Sequence, residues 1–468
     1  MSGLPTRRDL VKLSAAGMAA AHASAAPPPA GEITVRVTAG EKRYAEAPAL
    51  RWQRETRPAA GAVTLDAGKS YQEVLGFGAA LTDAACYMFN ELSPGARERI
   101  LHRLFHPSEM NLSACRICIG SSDYATEAYS YDEGEPDPEM KRFSIDHDRK
   151  WIIPILKAAR AVNPDLFLFA SPWSPPGWMK ANGSMLGGSM MKSSFAPYAK
   201  YFVRFLQSYA EAGVPVDAVS VQNEVDTAQD SRMPACLWGQ EYEREFVAAH
   251  LGPQLAANNL KTKIWIIDHN YDLWGRAICE LDYPETKKYV DGVAWHGYAG
   301  HPSGMTRVHD AHPTIHAYWT EGGPDIRERD YRTNWVRWSR TFTDILRNWA
   351  RAIIGWNMAL DENGKPNIGP FSCGGLITID SRTKEITESG QYWALAHYSR
   401  AVRRGAKRIE STGDDVNRVS HVAFVNPDGS SAAILTNNGQ ATTVRVRMSG
   451  METKVEMPAG SVVTLAWA

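Results

Sequence analysis

The sequence predicts an α/β fold: a (β/α)8 TIM barrel with an accessory β-sandwich built from both chain ends. In the middle of the chain, short apolar runs alternate with amphipathic helical stretches such as "DRKWIIPILKAARAV", and strands that alternate with helices form parallel sheets. At both ends, apolar and polar residues alternate between Asn, Asp and Gly turns, as in antiparallel sandwich strands. An open doubly wound sheet is the alternative, but no glycine-rich nucleotide loop follows the first apolar run.

The short apolar runs of the middle region are the predicted barrel strands. Eight such runs can be distinguished, and eight strand–helix units are what a closed barrel of this type requires. The runs lie near 75–80, 112–119, 166–171, 218–222, 263–268, 292–296, 314–319 and 352–356.

The N-terminus has the pattern of an export signal. Arg7 and Arg8 precede an alanine-rich, mildly apolar segment, and Ala23-Ser24-Ala25 offers a cleavage site. We therefore predict a twin-arginine-type signal peptide and a periplasmic or secreted protein, with an ordinary basic tail as the alternative. The predicted organisation is a signal peptide over 1–25, the N-terminal part of the sandwich over 26–74, the barrel over 75–400 and the C-terminal part of the sandwich over 401–468.

Composition excludes several other classes of protein. The 468 residues are 44% hydrophobic and 22% charged, with a formal net charge of −1. A near-neutral net charge argues against binding to nucleic acid. No apolar stretch reaches the roughly 18 residues of a membrane span. Cys115 and Cys118 form a CxxC, but on a strand two residues three apart point to opposite faces, which argues against a redox or metal pair.

The predicted strands end in side chains that suit a sugar. In such barrels the C-terminal strand ends carry the chemistry, and here two of them supply Glu224 and Glu321. Glycoside hydrolysis needs one carboxylic acid to protonate the leaving oxygen and a second carboxylate to attack the anomeric carbon or to activate water. Either glutamate alone fits an exposed charge at a loop, so the pairing carries the prediction. The other ends add Asp83, Ser121–Asp123, Pro172-Trp173, Asn223, Asp268-His269-Asn270, His296, Tyr298 and Trp356-Asn357.

Six motifs, met in chain order, resemble glycoside hydrolase family 30. The resemblance runs from about residue 60 to 468, and the third motif is the most specific of the six. The motifs are "GFGAALTDAA" (76–85), "RICIGSSDYA" (116–125), "ASPWSPPGWMKANGSMLGG" (170–188), "SVQNEVD" (220–226), "TEGG" (320–323) and "GWNMALDENGKPN" (355–367).

The resemblance implies a role for each matching residue. Glu224 is expected to be the acid/base and Glu321 the nucleophile of a retaining enzyme that forms a covalent glycosyl-enzyme. Asn223 is expected to hold the 2-hydroxyl of the bound sugar. The other substrate-binding residues implied by the family are Asp83, Trp173, His296, Tyr298 and Trp356; where family members often have Trp-Tyr, this chain has Gly297-Tyr298.

The predicted substrate is a β-linked glucoside or oligosaccharide, as for a β-glucosidase, a β-1,6-glucanase or a glucosylceramidase-like enzyme. A xylan-active β-xylosidase or endo-xylanase of the same family is the first alternative, and a catalytically inactive carbohydrate-binding protein is the second. The sequence leaves the oligomeric state open.

No cofactor and no metal are predicted. A metallohydrolase is conceivable because His296, His301, His309, His312 and His316 lie close together in the chain, but no pair has the HExxH spacing of a zinc helix. We expect Asp226 to be a loop or capping residue and Arg116 to be a buried partner for a carboxylate. Asp123 is left open between a structural role and support of the site.

Overall fold

The computed structural model describes residues 29, 31–55, 61–413 and 419–468. The predicted signal peptide lies outside the described residues. Their strands are β1 Glu32–Ala39, β2 Lys42–Arg51, β3 Gln53–Arg54, β4 Ala62–Glu73, β5 Gly76–Ala79, β6 Ala114–Cys118, β7 Phe167–Ser171, β8 Ala218–Ser220, β9 Lys263–Asn270, β10 Val290–His296, β11 His316–Glu321, β12 Ala350–Gly355, β13 Ala359–Leu360, β14 Ile377–Ile379, β15 Ile386–Glu388, β16 Lys407–Thr412, β17 Val419–Val425, β18 Ser431–Asn437, β19 Thr442–Met448, β20 Met451–Met457 and β21 Ser461–Trp467.

Most α-helices lie between successive barrel strands. A short π-helix, Phe246–Leu251, joins α5 to α6. The helices are α1 Asp83–Asn90, α2 Pro94–Phe105, α3 Ile152–Val162, α4 Phe195–Glu211, α5 Gln240–Glu245, α6 Gly252–Ala257, α7 Trp274–Leu281, α8 Pro284–Lys287, α9 Ser303–Ala311, α10 Trp335–Arg347 and α11 Gly390–Ser399. Within the part of the chain that the structure describes, none of the helices combines the length and the apolar character needed to span a bilayer.

The eight predicted middle strands form one parallel sheet, which confirms the barrel. Its order is β5-β12-β11-β10-β9-β8-β7-β6, and the two outermost strands meet through a parallel bridge between Ala80 and Arg116. Because the strands are parallel, their C-terminal ends all open on the same face.

The sandwich draws strands from both ends of the chain, as predicted. Its ten-stranded sheet has the order β2-β1-β21-β18-β17-β16-β4-β19-β20-β3. The two ends meet directly where β1 pairs antiparallel with β21, with Thr34 opposite Ala466 and Thr38 opposite Val462. The alternating burial of β1, in which Ile33, Val35 and Val37 face the core, is the period-2 pattern on which the prediction was based.

Aromatic side chains fill the barrel below its C-terminal face. Trp265 on β9 stacks on Tyr318 of β11 with ring centroids 3.9 Å apart, and Phe169 of β7 lies 4.5 Å from the same indole. The guanidinium of Arg116 lies 5.5 Å above the Phe169 ring. This packed floor puts Arg116 at the boundary between the apolar barrel interior and the polar face above it.

Candidate active site

A cavity of about 380 Å³ opens at the C-terminal face of the barrel. Glu224 reaches it from the loop after β8, and Glu321 reaches it as the last residue of β11. The structure therefore brings together two glutamates that lie on separate strands. The lining residues are Asp123, Trp173, Asn223, Glu224, Thr227, Gln229, Met233, His269, Asn270, Tyr298, Glu321, Trp356, Phe371 and Cys373.

The backbone is strained where β8 and β9 meet the cavity. Glu224, Ile267 and Asp268 have φ angles of 54°, 72° and 46°, and left-handed φ values are rare for a β-branched residue such as Ile267. Two hydrogen bonds hold these residues: Glu224 N donates to Asp268 O at 3.0 Å, and Ile267 N donates to Glu243 Oε1 at 2.9 Å. Such strain persists where the surroundings over-determine it, and it concentrates at functional sites.

Glu321 is held by a buried cation. Arg116 Nη1 donates to its Oε2 at 2.5 Å, and the Tyr298 hydroxyl donates to its Oε1 at 3.1 Å. His296 Nε2 lies 3.7 Å from Oε2. Burial raises the pKa of Glu321 and outweighs the opposing effect of His296 and Arg116, with the Glu224 charge adding to the increase.

Asp268 organises the residues beneath the cavity. Its Oδ2 accepts hydrogen bonds from Arg116 Nη2, Ser171 and Ser220, at 2.6–2.7 Å. Its Oδ1 accepts from Thr320 at 2.8 Å and contacts His296 Nε2 at 3.1 Å. Burial alone would raise the pKa of Asp268, but Arg116 and these donors hold it well below its usual range. Arg116 is fully buried, 0% exposed, and the structure confirms that it is a buried carboxylate partner.

Glu224 lies among hydrogen-bond donors. His269 Nε2 and His296 Nδ1 are 3.1 Å and 3.4 Å from its Oε1, and Gln229 Nε2 donates to its Oε2 at 2.6 Å. Burial opposes ionisation, but the two histidines lower the pKa of Glu224 well below its usual range. His296 thus contacts both glutamates, because its other nitrogen faces Glu321.

Asp226 contacts the second nitrogen of His269. A short hydrogen bond joins Asp226 Oδ1 to His269 Nδ1. Burial would lower the pKa of His269, but hydrogen bonds to Asp226 and Glu224 raise it to about 10. Asp226 is a loop residue, as predicted, and its carboxylate also turns back toward His269 on β9.

Four of the predicted substrate-binding residues line the cavity. Trp173 and Trp356 form one wall as a stacked pair with ring centroids 5.0 Å apart, and the Arg116 guanidinium lies 4.7 Å from the Trp173 ring. Asn223 lines the cavity, and its Oδ1 accepts from Arg116 Nη2 at 2.8 Å. Tyr298, 49% exposed, lies at the mouth.

The other two predicted substrate-binding residues, Asp83 and His296, do not line the cavity. Asp83 begins α1, where its carboxylate accepts hydrogen bonds from Thr126 N at 2.7 Å and Trp151 Nε1 at 2.6 Å and contacts His147 Nε2 at 3.0 Å. His296 is fully buried beneath the two glutamates. A sugar-binding role for either residue stays a prediction.

Sequence reasoning assigned no role to Gln229 or His269 and left Asp123 open, although all three line the cavity. Asp123 follows β6; its burial, reinforced by the charges of Glu321 and Glu224, raises its pKa well above the usual range. The only sequence signal that His269 belongs to the site was the position of "DHN" at the end of a predicted barrel strand.

Within the described ranges, one set of three side chains of metal-binding types has its ligand atoms all within 4.8 Å of one another. This set consists of Glu224, His269 and His296. The hydrogen-bond contacts of Glu224 Oε1 with both histidines already engage these atoms with each other. We therefore assign them as a hydrogen-bonded cluster.

A (β/α)8 barrel whose C-terminal cavity holds two carboxylates and an indole wall belongs to the class of carbohydrate-active hydrolases. The model of the glycosyl hydrolase family 30 TIM-barrel domain matches residues 74–402, and that of the family 30 beta sandwich domain matches residues 405–465. The chain belongs to glycosyl hydrolase family 30, and it is a glycoside hydrolase.

Individual relatives agree with this assignment. The endo-1,6-beta-D-glucanase of Neurospora crassa is 32% identical over 390 residues, which cover 78% of this chain and 79% of that protein. The lysosomal acid glucosylceramidase of Mus musculus is 29% identical over 397 residues, which cover 80% and 77%. The solved structure of the endo-beta1,6-glucanase BT3312 has a TM-score of 0.86 at 28% identity and covers 94% of this chain and 99% of that one. These matches confirm the predicted family, fold and hydrolase activity, and they favour the predicted retaining β-glycosidase over the xylan-active alternative.

Proposed function

We propose that the chain hydrolyses β-glucosidic linkages with retention of configuration, with Glu321 as nucleophile and Glu224 as acid/base. The observation that carries this proposal is the placement of both carboxylates in one cavity, on either side of the His296 ring. A retaining enzyme needs two carboxyl groups close enough to act on one glycosidic bond from both sides.

The first step forms the glycosyl-enzyme. Glu321 attacks the anomeric carbon while the bond to the leaving oxygen breaks, and Glu224 gives that oxygen a proton. Arg116 and Tyr298 contact different oxygens of Glu321. Because Arg116 occupies the buried Oε2, we assign the attack to Oε1, on the side of the exposed Tyr298.

The second step releases the sugar. Water attacks the anomeric carbon, Glu224 takes the proton of that water, and Glu321 leaves as a carboxylate. Asn223 supports both steps: Arg116 binds its Oδ1, and because Asn223 lines the cavity we assign its Nδ2 as a donor to a sugar hydroxyl. The indoles of Trp173 and Trp356 offer apolar faces for the C–H surface of the ring.

We propose β-1,6-linked glucan as the first substrate to test, because the Neurospora crassa relative and BT3312 are endo-1,6-glucanases. A β-glucoside with a lipid aglycone is the second candidate, supported by the likeness to the mouse glucosylceramidase. A panel of aryl β-glucoside, β-1,6-glucan, glucosylceramide and glucuronoxylan distinguishes these from a xylan-active enzyme.

Variants of the two glutamates test the assigned roles. Glu224→Gln should lower kcat/KM by about 10²–10⁴-fold, the usual contribution of a general acid. Added azide should rescue Glu321→Ala and give a glycosyl azide of inverted configuration. Glu285→Gln, an exposed glutamate on α8, is the matched control and should keep wild-type turnover. Near wild-type activity of Glu321→Ala or Glu224→Gln would refute the assignment.

We also propose that the chain is exported through the twin-arginine pattern at Arg7 and Arg8. The support is the order of features: two arginines, an alanine-rich segment and then Ala23-Ser24-Ala25. Replacing both arginines with lysine should retain the protein inside the cell, as measured by fractionation. Equal export of this variant would contradict the proposal.

A further inference from the structure

Three side chains lie in a row at one side of the cavity, and Asn270 Nδ2 lies 3.1 Å from the nitrogen of the middle one, His269 Nε2. Asp226 Oδ1 contacts His269 Nδ1, and His269 Nε2 lies 3.1 Å from Glu224 Oε1. The imidazole therefore lies between two carboxylates, one at each nitrogen. His269 and Glu224 line the cavity, whereas Asp226 is half-exposed behind them.

We propose that Asp226 and His269 form a dyad that stores the proton used by Glu224 and returns it after each step. The proposal rests on the acid/base role of Glu224. It assigns His269 as the proton carrier and Asp226 as the residue that positions His269.

The contacts of Glu224 show why a store is needed. In the resting site, Glu224 faces possible donors on both oxygens: His269 and His296 at Oε1, and Gln229 at Oε2. Donors at both oxygens favour the ionised form of a carboxylate, which only accepts hydrogen bonds. These contacts favour an ionised Glu224, and the titratable nitrogen nearest to it is His269 Nε2, at 3.1 Å.

Two of the charged groups around His269 favour a proton on it, and the others are paired elsewhere. The loop after β8 supplies Glu224 and Asp226, one at each nitrogen. From β10, the ring of His296 lies 5.5 Å away and is itself paired with Asp268. From α7, Arg276 acts on Asp226, but its guanidinium is bound to Glu243 and Glu280.

His269 loses one proton and regains one proton in each turnover. During glycosyl-enzyme formation, Glu224 passes a proton to the leaving oxygen and receives the Nε2 proton of His269, which becomes neutral and keeps its Nδ1–H on Asp226. During hydrolysis, Glu224 takes a proton from water and passes it back to His269 Nε2. One proton leaves with the alcohol and one enters from water, so no other reactant is needed.

Leaving-group dependence tests the dyad. With aryl β-glucosides, kcat/KM reports the first step, and a dinitrophenyl leaving group needs no acid whereas a phenyl leaving group does. Asp226→Asn should lower kcat/KM for phenyl β-glucoside by about 10²-fold, the low end of general acid catalysis. It should leave kcat/KM for the dinitrophenyl substrate near its wild-type value. His269→Asn should have the same effects as Asp226→Asn. Asp310 is an exposed aspartate on α9, and Asp310→Asn should leave kcat/KM unchanged for both substrates.

The pH profile gives a second readout. The protonated form of His269 is the working form, so activity is present below its pKa of about 10 and is lost as the pH rises through that value. Asp226→Asn removes the charge that holds this proton, so the basic limb of kcat/KM should move to lower pH while the acidic limb stays in place. Asp226→Glu keeps the charge and should restore the wild-type limb.

An equal loss for both leaving groups together with an unmoved basic limb would overturn the dyad and leave Asp226 with a structural role only. If Asp226→Asn does not fold, Asp226→Glu and His269→Asn carry the same two measurements. Failure of the proposed function is distinguishable, since it would appear in the wild-type enzyme as no hydrolysis of either glucoside.

Discussion

Arg116 is the residue whose replacement should affect the site most clearly. It is fully buried and contacts Glu321, Asp268 and Asn223 at 2.5, 2.7 and 2.8 Å. Arg116→Gln removes the guanidinium but keeps a polar side chain. Removing one partner of a buried ion pair costs about 3–5 kcal/mol of folding free energy. Because Asp268 keeps four other contacts, from Ser171, Ser220, Thr320 and His296, we expect the lower end of that range.

The same change should alter the pH profile in a defined direction. Glu321 must be ionised to attack, so activity is present above its pKa and falls as the pH drops through it. Without Arg116, one charge-assisted hydrogen bond worth about 1.5–3 kcal/mol no longer favours the ionised form. At about 1.4 kcal/mol per pH unit, the acidic limb of kcat/KM should move upward by about 1–2 pH units.

Two assays check this reasoning. Urea unfolding measures the stability loss, and kcat/KM on an aryl β-glucoside across pH locates the acidic limb. Arg116→Lys keeps the charge but loses the forked geometry, so its limb should move less than that of Arg116→Gln while its stability also falls. An unchanged acidic limb in a folded Arg116→Gln variant would refute the idea that Arg116 keeps Glu321 ionised.

Three further substitutions test the walls of the cavity. Tyr298→Phe removes the 3.1 Å hydrogen bond to Glu321, so steady-state kinetics should show a kcat lower by about 10-fold, as expected for about 1.4 kcal/mol. Asp123→Asn keeps a neutral donor and should raise KM less than Asp123→Ala, because burial raises the pKa of the aspartate and so favours its protonated form; equal KM values would show that the donor is not used. Trp173→Ala should cost about 3–5 kcal/mol in urea unfolding, whereas Tyr283→Ala at a residue 45% exposed should change stability little.

The sequence is sufficient for the fold and for the two glutamates, because both follow from local patterns. Each barrel strand is a short apolar run bounded by turns. In a parallel barrel the C-terminal ends of all strands lie at the same face, whatever the conformation of the loops that follow. Glu224 and Glu321 therefore reach the same cavity without any knowledge of the contacts between them. The strands of the sandwich follow from the period-2 alternation seen in β1.

The contacts that adjust the site could not be predicted in the same way. Asp268 meets Arg116 across the barrel, between β9 and β6, and such a pair depends on strand register rather than on any local motif. Asp226 reaches His269 only because Glu224 and Asp268 adopt left-handed backbone angles, which no residue type at those positions signals. Asp83 is withdrawn from the cavity by Thr126, His147 and Trp151, which belong to a long loop folded over α1.

The two glutamates have different cationic partners, and that difference suits their proposed roles. Arg116 stays protonated at any accessible pH, so it is a fixed charge that favours an ionised Glu321 throughout the reaction. His269 can lose and regain its proton, so it can recharge Glu224 once per step. A fixed cation at the acid/base would hold it ionised, whereas His296 contacts both glutamates and does not distinguish them. The chain separates these functions by drawing Arg116 from β6, beneath the cavity, and His269 from the end of β9, at its side.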